Sequence, residues 1–199
     1  MQGIRSVIHR RRGAGRTPGP AVHDDLVERD FTAPTIDRLW LADITEHPTG
    51  EGKLYLCAIK DACSKRIVGY SMNSTMSSGL AVAALRNACA LRNPRGCVLH
   101  TDRGSQFRSK AFTDALTRVG ISGSMGRVAA CADNVAMESF FSLLQKNVLN
   151  RRRWATREEL RLAITIWIER TYHRRRRQRG LGRLTPIEFE ILQTTAHAA

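Results

Sequence analysis

The chain has 199 residues, 42% of them hydrophobic, with 32 Lys and Arg against 18 Asp and Glu, a formal charge of +14. That length allows one domain with a substantial core plus appendages, and the apolar fraction excludes a disordered chain. No apolar run reaches the length of a membrane span and no signal-peptide core follows the basic amino end, so the expected location is cytoplasmic, with no membrane partner.

A charge of this size points to a polyanionic partner, nucleic acid being the commonest. The charge is unevenly placed. Residues 37–145 hold thirteen Lys/Arg and nine Asp/Glu, whereas 151–183 hold twelve Arg and three Glu. Cys57, Cys63, Cys89, Cys97 and Cys131 are odd in number and contain no Cys-x-x-Cys pair. That argues against zinc-finger spacing and against a disulfide framework, leaving reduced, mostly structural thiols.

Residues 1–36 read as a basic arm, with Arg10-Arg11-Arg12 followed by Gly, Pro and Thr. Two readings stand side by side there, a solvated disordered tail and a phosphate-contacting extension. From Leu39 to Thr45 the pattern is that of a buried strand, which places Asp43 near a strand centre on the face of Leu39 and Leu41. A carboxylate there is costly unless it is paired or binds a metal. Pro48 to Gly52 reads as a turn. Leu54–Ile59 and Ile67–Met72 are two more strands with short connections, as in an antiparallel meander.

Ser77-Ser78 caps a helix running to Leu91, ended by Pro94 and Gly96. Next, Val98-Leu99-His100-Thr101-Asp102 is a strand ending in an acid, followed by the turn formers Gly104 and Ser105. Ser109 caps a helix over about residues 110–119, and a short strand covers 121–124. The small, polar segment 126–132 reads as a mobile loop. Asp133 can cap a helix starting at Asn134, whose apolar stripe is Met137, Phe141, Leu144 and Val148, with Glu138 just beside it. Thr156 to Glu159 is a capping box opening a helix with Leu160, Ile164, Trp167 and Ile168 as core, and Thr185-Pro186 starts a last short helix through Leu192.

Each acid alone has an ordinary explanation: a turn former at Asp102, a first-turn Glu favoured by the helix dipole at Glu138. Together they read differently. The element order is that of an α/β fold with a mixed sheet, in which the first and fourth strands can be neighbours and bring Asp43 to Asp102. Three converging carboxylates need a cation, and hard oxygen donors suit Mg²⁺ or Mn²⁺. Two such ions can activate a water or 3′-hydroxyl and steady the leaving oxygen of a phosphodiester.

At these residues the chain resembles the integrase-type catalytic core of the bacterial IS3-family insertion-sequence transposases, relatives of the retroviral integrases. The motifs are Leu39-Trp40-Leu41-Ala42-Asp43-Ile44-Thr45, then His100-Thr101-Asp102-Arg103-Gly104-Ser105-Gln106-Phe107, then Asp133-Asn134-Val135-Ala136-Met137-Glu138-Ser139-Phe140-Phe141. The 35 residues between Asp102 and Glu138 match the family's separation, and the ending Leu184-Thr185-Pro186-Ile187-Glu188-Phe189 is similar too.

The resemblance implies a ribonuclease H-like mixed five-stranded sheet flanked by helices, with a basic helical C-terminal extension. It implies an arm over 1–36, an integrase core over 37–150, and an Arg-rich part of the same domain over 151–199. Asp43, Asp102 and Glu138 would be the catalytic, metal-binding triad, with His100, Asn134 and Ser139 as neighbours that shape the site. Lys146, Arg151, Arg152, Arg153, Arg174, Arg175, Arg176 and Arg177 are the expected DNA contacts. Gln145 stands where the family often has a Lys or Arg.

The implied activity is metal-dependent DNA cleavage and strand transfer by a homo-oligomer on DNA, in a nucleoid-associated protein. The family usually carries a helix-turn-helix ahead of this core, so a partner transposase bearing one is expected, and the chain reads as a truncated product or one half of a pair. A catalytically silent remnant that competes for element DNA is the alternative, and a nuclease of the same fold using water as acceptor is a third.

Overall fold

The computed structural model describes residues 19–92, 94–126 and 135–198. Five strands, β1 (Leu39–Thr49), β2 (Gly52–Asp61), β3 (Ile67–Asn73), β4 (Val98–Thr101) and β5 (Ser122–Met125), form one sheet in the order β3-β2-β1-β4-β5. The first three make the expected antiparallel meander, and β1–β4–β5 are parallel. Parallel neighbours need a crossover. It is supplied by α1 (Ser78–Leu91) between β3 and β4, and by α2 (Lys110–Arg118) between β4 and β5.

β1 runs past Pro48, where the sequence reads as a turn, and the chain reverses at Gly50-Glu51 instead. Proline is tolerated because β4 pairs with β1 only as far as Ala42, so beyond it β1 borders the sheet on that side. On one face, α1 and α2 bury Leu80, Ala84, Leu85, Phe112 and Leu116 against Trp40, Cys57, Ile59 and Leu99. The approach is close at Gly69, where a Cβ would stand 2.6 Å from the Ala84 carbonyl and from Ala88.

The other face is covered by α3 (Val135–Asn147) and α4 (Arg157–Ile166), with α4 continuing as π-helical turns over Trp167–Tyr172. Leu41, Leu56 and Ala58 meet Met137, Phe140, Leu144, Leu160, Ile164, Trp167 and Tyr172 in a single cluster, so the Arg-rich C-terminal part shares the core of the sheet. Phe140, not Phe141, is fully buried on α3; Phe141 packs at the margin. In the π-helical turns the His173 N–H donates to the Ile168 carbonyl five residues back, which brings Trp167, Ile168 and Tyr172 all inward. Buried His173 accepts from the Ile67 N–H at Nε2 (3.2 Å), leaving Nδ1 to carry the proton toward Glu169 Oε2 at 3.3 Å.

The capping box at Thr156 is present, with Glu159 N–H on the Thr156 hydroxyl, though the Glu159 carboxylate reaches the Ala155 N–H. A second box opens the last helix, α5 (Pro186–Ala198), longer than its sequence pattern: Thr185 and Glu188 each bond the other's backbone N–H. Residues 19–36, counted with the arm, pack on the domain, with residues 23–26 along β5 and Phe31 against His100 of β4. Leu26 N–H donates to Ser124 Oγ (2.9 Å), Met125 N–H to the Asp24 carbonyl, and Val27 is buried. The sequence carries no period there because the contacts are made by a few residues on an irregular path. No helix among the described residues is long and apolar enough to cross a membrane.

Candidate active site

The parallel register pairs Leu41 with His100 and Ala42 with Thr101, the residues that directly precede Asp43 and Asp102. Adjacent strands lie about 4.8 Å apart, so the two acids start from neighbouring backbones. Alternation aims Asp43 to the face of Leu39 and Leu41, and Asp102 to the face of Val98 and His100. Both faces are the one that α3 covers.

Each carboxylate is held by backbone. The Ile44 N–H donates to Asp43 Oδ1 (2.7 Å) and the Gly104 N–H to Asp102 Oδ1 (2.9 Å). Gly104 leaves the carboxylate its place: a Cβ there would stand 2.9 Å from Asp102 Oδ1 and 3.2 Å from Gln106 Oε1, so one of those side chains would have to move. Arg103 ties the same loop to the end of β5 through Nε and the Gly126 carbonyl, 2.7 Å apart. The two charges are felt together at Cys57, buried on the opposite side of the sheet. Burial pushes its thiol well above the ordinary range, and the fields of Asp43 and Asp102 raise it further.

Glu138 lies in the first turn of α3, exposed, as is Ser139. Among the described residues no three His, Cys, Asp or Glu side chains are gathered as a ready metal cluster. Asp43 and Asp102 follow paired positions on β1 and β4, and Glu138 lies on the covering helix. Asn134 and the expected cap Asp133 lie outside the described residues. His100 is buried, its Nδ1 2.9 Å from Ser124 Oγ and its ring edge-on to Phe31 at 5.5 Å. It thus links β4, β5 and the segment before β1, two residues from Asp102.

Of the expected DNA contacts, Lys146, Arg151, Arg153 and Arg174–Arg177 are exposed. Among the described residues none of these seven is in an ion pair. Arg152 is engaged: it pairs with Glu159 at 2.6 Å and lies over the Trp154 ring at 4.4 Å. Gln145 bonds Asn150.

Two buried groups escaped sequence reasoning. Asp61 closes β2: its Oδ1 accepts from the Cys63 and Ser64 N–H groups and its Oδ2 from the Asp37 N–H, while burial raises its carboxyl above the usual range. Lys60 occupies a core position of β2. The signal was available, because alternation from Leu54, Leu56 and Ala58 puts residue 60 on the core face.

A mixed five-stranded sheet with an acid within one central parallel strand and another just after its neighbour is the ribonuclease H-like core of the integrases. The bovine immunodeficiency virus integrase catalytic core matches it with a TM-score of 0.59 at 16% identity, covering 82% of this chain and 99% of that one. The HTLV-2 integrase catalytic core in complex with magnesium matches with a TM-score of 0.58 at 19% identity, covering 79% and 98%. Two Integrase core domain profiles match residues 34–131 and 119–186.

The chain belongs to the IS3-family insertion-sequence transposases with an integrase-type core. It is 36% identical over 192 residues to transposase InsF for insertion sequence IS3A of Escherichia coli K12, covering 95% of this chain and 67% of that protein. It is 37% identical over 167 residues to the transposase for insertion sequence element IS904 of Lactococcus lactis, covering 83% and 66%.

Proposed function

We propose that this chain cuts DNA at the ends of an insertion sequence and joins them to target DNA, with Mg²⁺ or Mn²⁺ held by Asp43, Asp102 and Glu138. The observation that supports this reading is the parallel register of β1 and β4, which pairs Ala42 with Thr101, the residues just before Asp43 and Asp102. The donors fit a hard divalent cation. They are carboxylate oxygens, and the nearby soft donor, Cys57, faces the opposite core with its thiol held protonated. The magnesium-bound HTLV-2 core shares the fold.

When bound, the cation supplies positive charge at the phosphodiester and lowers the pKa of an attacking hydroxyl. The chain's own residues do the positioning. Backbone N–H groups at Ile44 and Gly104 each fix one oxygen of an acid, so the remaining donor directions are set before substrate arrives. The exposed arginines 174–177 bind phosphates and hold the duplex, without reading sequence. A related simian T-cell lymphotropic virus protein is part of an intasome, and we infer that this chain likewise acts as a homo-oligomer on DNA.

Asp102→Asn keeps the shape of the side chain and its bond from Gly104. It should abolish metal-dependent cleavage of a duplex made from the DNA flanking the coding region, with melting temperature and non-specific DNA binding unchanged. Undiminished cleavage overturns the assignment. A change in stability with cleavage intact would make Asp102 a turn former only.

A further inference from the structure

Lys60 is 4% exposed, on the same face of β2 as Leu54, Leu56 and Ala58. Register sets it opposite Leu41, on the side of the sheet where Asp43 projects. Its Nζ donates to the carbonyl of Ala136, 2.9 Å away, in the first turn of α3 and two residues before Glu138.

An ammonium is unfavourable in this place. It is desolvated, it faces the charge of Lys65, and it sits at the positive end of a helix. Burial above all, and Lys65 next, bring its pKa down to about 7. Methionine would fill similar volume with none of these costs, so the bond to Ala136 is what the amine contributes. Met137 and Phe140 also hold this turn, by apolar burial. Apolar packing is non-directional and tolerates sliding, whereas a hydrogen bond of this length fixes distance and angle.

We propose that Lys60 is a positioning residue for Glu138: its bond to the Ala136 carbonyl sets the height and rotation of the first turn of α3 over the acid pair. This rests on Asp43, Asp102 and Glu138 forming one cation site. Removing the bond leaves the fold intact and loosens the turn that carries Glu138.

The test is Lys60→Met in the full chain, with Mn²⁺ binding followed by the paramagnetic resonance of the free ion. Mn²⁺ affinity should fall about tenfold, the worth of one good hydrogen bond. The melting temperature should hold or rise, and amide exchange should quicken in the first turn of α3. Lys60→Gln, which keeps an N–H donor without the charge, should recover part of the affinity.

Unchanged Mn²⁺ affinity and unchanged exchange in Lys60→Met would overturn the proposal, as would a lowered melting temperature with affinity intact. Asp102→Asn run in parallel separates the two readings. Should Mn²⁺ binding survive that substitution, the cation site itself is misassigned. Should it be lost while Lys60→Met binds normally, only the role of Lys60 fails.

Discussion

Glu190 on α5 is 7% exposed and accepts from two arginines, Arg66 through Nη1 at 2.6 Å and Arg92 through Nη2. Arg92, with its side chain 11% exposed, also reaches Asp37 Oδ2 at 3.4 Å. The network thus ties the last helix to the start of β3, the end of α1 and the approach to β1. Glu190→Gln removes the charge and turns an N–H₂ donor toward one guanidinium. Breaking a buried pair while leaving its partner costs about 3–5 kcal/mol. Arg66 is 30% exposed and Arg92 keeps Asp37, so we take the lower end, about 3 kcal/mol.

For a domain of this size that lowers the melting temperature by about 6–12 °C. The sign with pH follows from the carboxyl. Burial alone would raise its pKa, but hydrogen bonds and charge from Arg92, with Arg66, hold it below the ordinary glutamate value. A depressed pKa contributes stability above the unfolded value of about 4.3 and loses it as pH falls through the folded one. Melts of both proteins followed by circular dichroism should therefore differ fully at about pH 7, and the gap should shrink steadily as the pH falls below the unfolded value. A gap below about 1 kcal/mol at neutral pH, the worth of a surface pair, would refute the reasoning. So would a gap that does not shrink in acid.

Replacing Arg174–Arg177 by Ala should weaken DNA binding on every sequence alike and flatten the slope of log affinity against log salt by up to about 4, read by fluorescence anisotropy across a salt series. Gly104→Ala should push the Asp102 carboxylate aside and cut cleavage by up to about a hundredfold, since small misplacements of reacting groups cost that much, while melting shows little change.

How much of this was legible in the sequence depended on which physical signal each feature leaves. The adjacency of β1 and β4 followed from element order, and the core of α4 from its Leu160 and Ile164 spacing. Phe140 and Phe141 are both apolar neighbours, so periodicity alone chose the wrong one for burial. The π-helical turns were invisible, because a change of hydrogen-bond period leaves no mark on composition. Pro48 read as a turn because the open side of β1 is a property of the sheet, not of the strand. The packing of residues 19–36 depends on Ser124 and His100 far along the chain. Asp43, Asp102 and Glu138 could be picked out by residue type and spacing, but the amine of Lys60 could be matched to Ala136 only in three dimensions.

The parallel pairing of β1 with β4 has a kinetic side. β1, β2 and β3 are joined by short turns and can find one another locally. Leu39 meets Val98 only after the whole meander and α1 have been laid down between them. Closing so long a loop costs entropy before any contact repays it, which makes this the slow class of folding event. Asp43 and Asp102 therefore come together in one late, cooperative step. A chain halted before β4 holds only the three strands of the meander with Asp43, and the cation site proposed above can be assembled only in the completed sheet.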